Sequence, residues 1–111
     1  MKYMALIYGS EDGWSALSEE EQQSATERYM ALARESATVG GDELQDPDTA
    51  TTIRVRDGET LTTDGPFAET KEQLGGYYLI DCASLDEALE FAARIPAAER
   101  GAVEVRPVVE R

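Results

Sequence analysis

The sequence predicts one α+β domain, residues 1–111, with the element order β-α-β-β-β-α-β. Three observations carry this expectation. Ser18 and Ser84 each precede a Glu by three residues and open a stretch with apolar residues at helical spacing, the signature of a capped amphipathic helix. Asp57-Gly58 sits between "TTIRVR" and "ETLTT", the strongest short-range signal for a two-residue hairpin. The runs 2–8 and 77–82 are apolar and too short for helices. With the hairpin counted as an elaboration, the order is that of a split βαβ unit: a ferredoxin-like antiparallel sheet with two helices on one face.

The elements follow in order. "KYMALIY" (2–8) is a strand ended by Gly9, and "GSEDGW" (9–14) is a loop. Ser18 starts the first helix, with Glu19, Glu20 and Glu21 at the positive end of its dipole. Ala25, Tyr29, Leu32 and Ala33 share one face, and Gly40-Gly41 is expected to end the helix. Residues 42–50 read as a polar loop, followed by the hairpin and then the strand 77–82. The second helix begins at Ser84, carries the stripe Leu85, Ala88, Leu89, Ala92 and Ile95, and is stopped by Pro96. Residues 102–109 form the last strand, with Pro107 suited to an edge or a strand end.

Composition narrows the function. Lys and Arg number 10 against 23 Asp and Glu, a net charge of −13. Such a chain is a poor direct partner for nucleic acid or for an anionic membrane surface. One cysteine, Cys82, cannot form an intramolecular disulfide, and the short apolar N-terminus lacks a cleavage site, so a cytoplasmic protein is expected. Histidine is absent. That removes the usual general base at neutral pH and the Ser-His and Cys-His nucleophile pairs. With one cysteine and no histidine a zinc site has too few ligands. No metal and no cofactor are expected.

The strands 2–8 and 77–82 are apolar on both faces, whereas 52–56 alternates with Ile53 and Val55 on one side and Thr52, Arg54 and Arg56 on the other. Two helices can cover only one sheet face. A second copy of the chain is therefore expected to cover the other in a two-fold homodimer, with Met4, Leu6, Tyr78 and Ile80 assigned to the interface.

The stretch "DGPFAETKEQLGGYYLID" resembles the signature of the DGPF proteins, a bacterial branch of the YCII-related family. "MKYMALIYG" and "SLDEALEFAARIPAAERGAVEVRPV" are similar to that family too. The resemblance implies a ferredoxin-like fold assembled as a dimeric α+β barrel, and an association with extracytoplasmic-function sigma factors. The His-Asp pair of some relatives has no counterpart in a chain without histidine.

In the motif, Asp64-Gly65-Pro66 forms a tight turn, Phe67 is expected to anchor the loop in the core, and Glu69, Lys71 and Glu72 to form local ion pairs. Gly75-Gly76 permits close backbone approach or a bulge. Tyr8, Trp14, Arg54, Asp64, Phe67, Lys71 and Arg106 are the candidate ligand-binding residues. Arg54 and Arg56 are expected to meet carboxylates such as Glu104, within the sheet or across a dimer, or to hold an anion. The function this supports is a non-catalytic small-ligand-binding or regulatory accessory module. The alternatives are a cofactor-free enzyme acting on a small aromatic or polar metabolite with Asp64 or Glu69 as its base, and a purely structural oligomerisation domain.

Overall fold

The computed structural model describes all residues, Met1–Arg111. Six strands and three helices run in the order β1 (Lys2–Gly9), α1 (Glu11–Ser15), α2 (Glu19–Ala33), β2 (Thr38–Glu43), β3 (Thr51–Arg56), β4 (Glu59–Asp64), β5 (Gln73–Asp81), α3 (Leu85–Ala93) and β6 (Ala102–Pro107), with 3-10 turns at Pro47–Thr49 and Pro96–Glu99. β2, β5, β1 and β6 form a four-stranded sheet in that spatial order, all neighbours antiparallel. Without the hairpin, this is the strand order of the ferredoxin-like fold. The two doubly apolar runs are its central strands, β1 and β5, and the two edges carry the polar residues. Pro107 closes the edge strand β6, where a missing N–H costs no internal ladder bond.

The core lies between one sheet face and the helices. Tyr3, Ala5, Tyr78 and Ile80 from the sheet meet Leu32 of α2, Ala88 and Phe91 of α3, and Ile95 just beyond it. The Tyr78 and Phe91 rings pack edge to face, centres 5.6 Å apart. The Tyr78 hydroxyl donates to the Tyr29 carbonyl at 2.7 Å, which satisfies the one polar atom this aromatic brings inside. Burial pushes the Tyr78 phenol up to about 12.

Both helix starts form as the serines suggest. Ser18 accepts from the Glu21 N–H, and the Glu21 carboxylate accepts in return from the Ser18 N–H. Those two bonds hold the Glu21 carboxyl below its ordinary range. Ser84 accepts from Glu87 N–H, but the Glu87 carboxylate reaches one residue further back, to the N–H of Ala83.

Several expectations are corrected. The first helix stops at Ala33, with Arg34 as its C-cap, and the segment carrying Gly40-Gly41 is the edge strand β2 rather than a helix end followed by loop. A glycine-poor strand would not fit there: a Cβ on Gly41, at φ +153°, would sit 2.6 Å from the Tyr77 carbonyl oxygen. Residues 11–15, expected as loop, form the short helix α1 under a Ser10 cap. The inward face of α3 includes Phe91 and excludes Leu85 and Leu89, which are exposed, and Ala33 of α2 is exposed as well. Sheet contact rotates each helix to bury its best-fitting stripe, and periodicity alone left that rotation open by one residue.

The hairpin β3–β4 stands apart from this body. Its turn has positive φ at Asp57 (51°) and Gly58 (79°), as a primed hairpin turn requires. It forms its own two-stranded sheet, and Ile53, Val55 and Leu61 are all exposed on it. The radius of gyration, 15.8 Å, exceeds the ~13 Å expected of a compact chain this long, because the hairpin extends outward as an arm.

Candidate functional site

Cross-strand partners share a sheet face, so register assigns the open face. Met4 is paired with Leu79 and Leu6 with Tyr77, a half-buried apolar patch across the two central strands. Tyr8, Asp42, Glu104 and Arg106 surround it, from β1, β2 and β6. The guanidinium of Arg106 is ion-paired with Glu104 on its own strand, and that bond holds Arg106 firmly protonated. The open face is therefore an apolar floor with a charged rim, and α2 and α3 lie on its far side. No part of the chain's own core covers it.

Two of the four residues assigned to a dimer interface are corrected. Tyr78 and Ile80 are 7% and 1% exposed and belong to the helix-side core. Tyr77 and Leu79 are the residues of β5 that lie beside Met4 and Leu6 on the open face. The sequence showed both faces of the strand to be apolar, but only pairing against β1 shows which face the helices take.

The motif works at one end of this sheet. β4 ends at Asp64, which pairs with Thr51. Gly65 then turns the chain at φ +103°, in the left-handed region that glycine enters without strain. Its N–H donates to the Ala50 carbonyl at 2.7 Å, and its carbonyl accepts from the Thr52 hydroxyl at 2.8 Å, so one residue closes the base of the arm. Further on, the Gln73 side-chain amide donates to the carbonyls of Ala68 and Thr70, at 2.8 and 2.9 Å, and holds the loop in a compact curl. Nothing in the sequence singles out Gln73, because a polar residue at a strand start carries no distinctive signal.

β5 then enters the sheet across a bulge. Ile7 pairs with Gly76 and Tyr8 with Leu74, leaving Gly75 as the extra residue. A Cβ on Gly76 would lie 2.8 Å from the Asp42 carbonyl oxygen. The Gly-Gly pair thus supplies both the bulge and the close approach its sequence suggests. At the same end, just before β6, a Cβ on Gly101 would run into the Tyr8 carbonyl oxygen.

The remaining candidates are dispersed. Phe67 is 76% exposed and anchors nothing in the core; it lies under the Arg54 guanidinium instead. Asp64, Glu69 and Lys71 are exposed, and the expected local ion pairs of Glu69, Lys71 and Glu72 do not form. Trp14 is 43% exposed on α1. Arg54 and Arg56 form no ion pair within the chain, and Glu104 is engaged by Arg106. Tyr8 and Arg106 belong to the open face, whereas Arg54, Asp64 and Phe67 belong to the arm and its base.

Two hollows occur elsewhere. One of about 220 Å³ lies by Ile80, Cys82, Phe91 and the Glu35–Arg94 pair. Another of about 370 Å³ separates α2 from the turn at Pro96–Glu99. Charged and small residues line much of both, and neither includes a motif residue. No cluster of acidic, cysteine or histidine side chains with metal-site geometry is present.

A ferredoxin-like sheet bare on one face, with a glycine-bulged motif strand at its centre, defines the class, and comparison with known proteins agrees. The YCII-related domain matches residues 1–111, and the chain belongs to that family. It is also 47% identical, over 97% of its length and 92% of the relative's, to an uncharacterized protein of Rhizobium meliloti (strain 1021).

Proposed function

We propose that this YCII-related chain acts as a homodimeric, non-catalytic module that binds a small molecule against the open face of its sheet. The observation that supports this reading is the Met4–Leu79 and Leu6–Tyr77 floor: apolar, central, and left bare by α2 and α3, which pack on the other face. Two such floors facing each other across a two-fold axis would enclose a barrel, with Tyr8, Glu104 and Arg106 as polar groups to orient a ligand. The candidate bases Asp64 and Glu69 are exposed and lie outside the apolar floor that would enclose a substrate. That favours binding over proton transfer. The association with extracytoplasmic-function sigma factors that the resemblance to the DGPF branch implies would give such a binder a regulatory context.

Sedimentation of the purified protein at micromolar concentration, followed by native mass spectrometry of the assembly as isolated from cells, tests the reading. A dimer carrying a stoichiometric small molecule, released by Leu79→Glu, is expected. A monomer under those conditions overturns it, as does a metabolite converted by the protein to a product.

A further inference from the structure

We propose that the β3–β4 arm is an intermolecular clasp whose occupant is a second copy of this chain. The inference rests on the homodimer reading and adds to it a contact that the sheet face does not supply.

Four observations lead there. First, a lone two-stranded hairpin is at best marginally stable in water and needs a packing partner. The arm's own domain gives it little: Ile53, Val55 and Leu61 remain 64%, 59% and 44% exposed. Second, the arm is defined rather than ragged. Six residue pairs run in continuous register from Thr51–Asp64 to Arg56–Glu59, its turn is a primed one, and Gly65 and Thr52 fasten its base. Third, Ile53 and Val55 project from one face, backed by Thr60 and Thr62. An apolar strip flanked by short hydroxylated side chains is suited to lie on another surface.

The fourth observation identifies the occupant. The chain has 10 cationic side chains against 23 acidic ones. Arg28, Arg94, Arg100 and Arg106 are taken by ion pairs. Arg54 and Arg56, on the arm's opposite face, form no ion pair within the chain, so that face presents two cations to one carboxylate, Glu59, beyond a body of strongly negative charge. A second copy brings a surplus of carboxylates, including Asp42 and Glu43 on the free edge strand β2. The arginine-bearing face of the arm and the acidic body are thus complementary between copies, and a two-fold axis lets each arm make the same contact reciprocally.

Hydrogen–deuterium exchange of the full chain, above and below the concentration at which the dimer dissociates, reads this directly. Amides of residues 53–62 are expected to exchange at least tenfold more slowly in the dimer than in the monomer. The variant Ile53→Asp/Val55→Asp lies outside the core, so its β1 and β5 amides should remain protected while dimer Kd rises at least tenfold. A dimer whose arm exchanges as fast as the monomer's, or whose Kd the variant leaves unchanged, overturns the clasp and leaves the sheet-face dimer standing. A chain that stays monomeric throughout overturns both. Arm protection that appears only with another protein present also overturns the proposal.

Discussion

Arg54 lies over the Phe67 ring, its guanidinium carbon 5.1 Å from the ring centre. This contact ties the outward strand of the arm to the motif that closes the arm's base, and it is the arm's main aromatic support. Both partners are exposed, where such a contact contributes about 0.5–1 kcal/mol. Phe67→Ala is therefore predicted to leave global stability within about 1 kcal/mol of wild type while the amides of 52–64 exchange faster. A global loss well beyond that, in urea melts, would place Phe67 in a core it does not reach here.

The two glycines before Tyr77 should respond differently to the same substitution. At Gly76 a methyl would meet the Asp42 carbonyl at 2.8 Å, and the nearest atom is backbone that cannot swing aside. At Gly75 the nearest atom, the Ile7 carbonyl oxygen, is 3.9 Å away. Gly76→Ala is predicted to cost about 1–3 kcal/mol, and Gly75→Ala less than about 1 kcal/mol. Paired urea denaturation curves check the order, which would be reversed if the bulge at Gly75 were the more demanding site.

Arg94 grips Glu35 with both of its terminal nitrogens, one of them at 2.9 Å. The Arg94 guanidinium holds the Glu35 carboxyl below its ordinary value of 4.5. A depressed carboxylate contributes stability above its unfolded pKa and loses it as pH falls through the folded one. The pair is half exposed, so its worth is set near about 0.5 kcal/mol. Glu35→Gln should lower stability at pH 7 by about that amount, and the gap to wild type should close as pH drops below the ordinary glutamate range. Thermal melts across acid pH measure it; a gap that widens with acid would contradict the assignment.

Alkali should act through Tyr78. Its phenol is raised from 10.0 to about 12 by burial. The group is neutral in the folded state and ionises earlier when unfolded, so its contribution is complete below pH 10 and disappears by about pH 12. The predicted loss across that window is on the order of 2 kcal/mol. It should be absent in Tyr78→Phe, which lacks the ionisable group, although that variant also forgoes the bond to the Tyr29 carbonyl. Stability measured between pH 9 and 12, with tyrosinate absorbance followed in parallel, separates the two effects.

The helix start at Ser18 offers a local check. Its reciprocal bonds with Glu21, at 3.0 and 3.1 Å, satisfy two N–H groups that the helix leaves free. Ser18→Ala should cost about 1 kcal/mol. Ser18→Asp, which keeps an acceptor, should restore most of it in the same denaturation assay.

Local chemistry alone determined much of this protein. The helix starts at Ser18 and Ser84, the Asp57-Gly58 turn, the proline at the end of β6 and the glycine bulge before Tyr77 each follow from a few adjacent residues with strong conformational preferences. The runs at 2–8 and 77–82 showed two strands with both faces to cover for the same reason: their apolar side chains alternate onto both sides. Tertiary structure decided what depends on distant partners. β2 is a strand only because the backbone of β5 lies against Gly40 and Gly41, which have little strand preference of their own. Tyr78 and Ile80 face the helices because their register with Tyr3 and Ala5 turns them that way, and a shift of one residue would have exchanged the two faces. The separation of the arm from the body was hidden for a similar reason. A strand's alternation shows that one face is apolar, but not whether the surface meant to cover it belongs to the same chain.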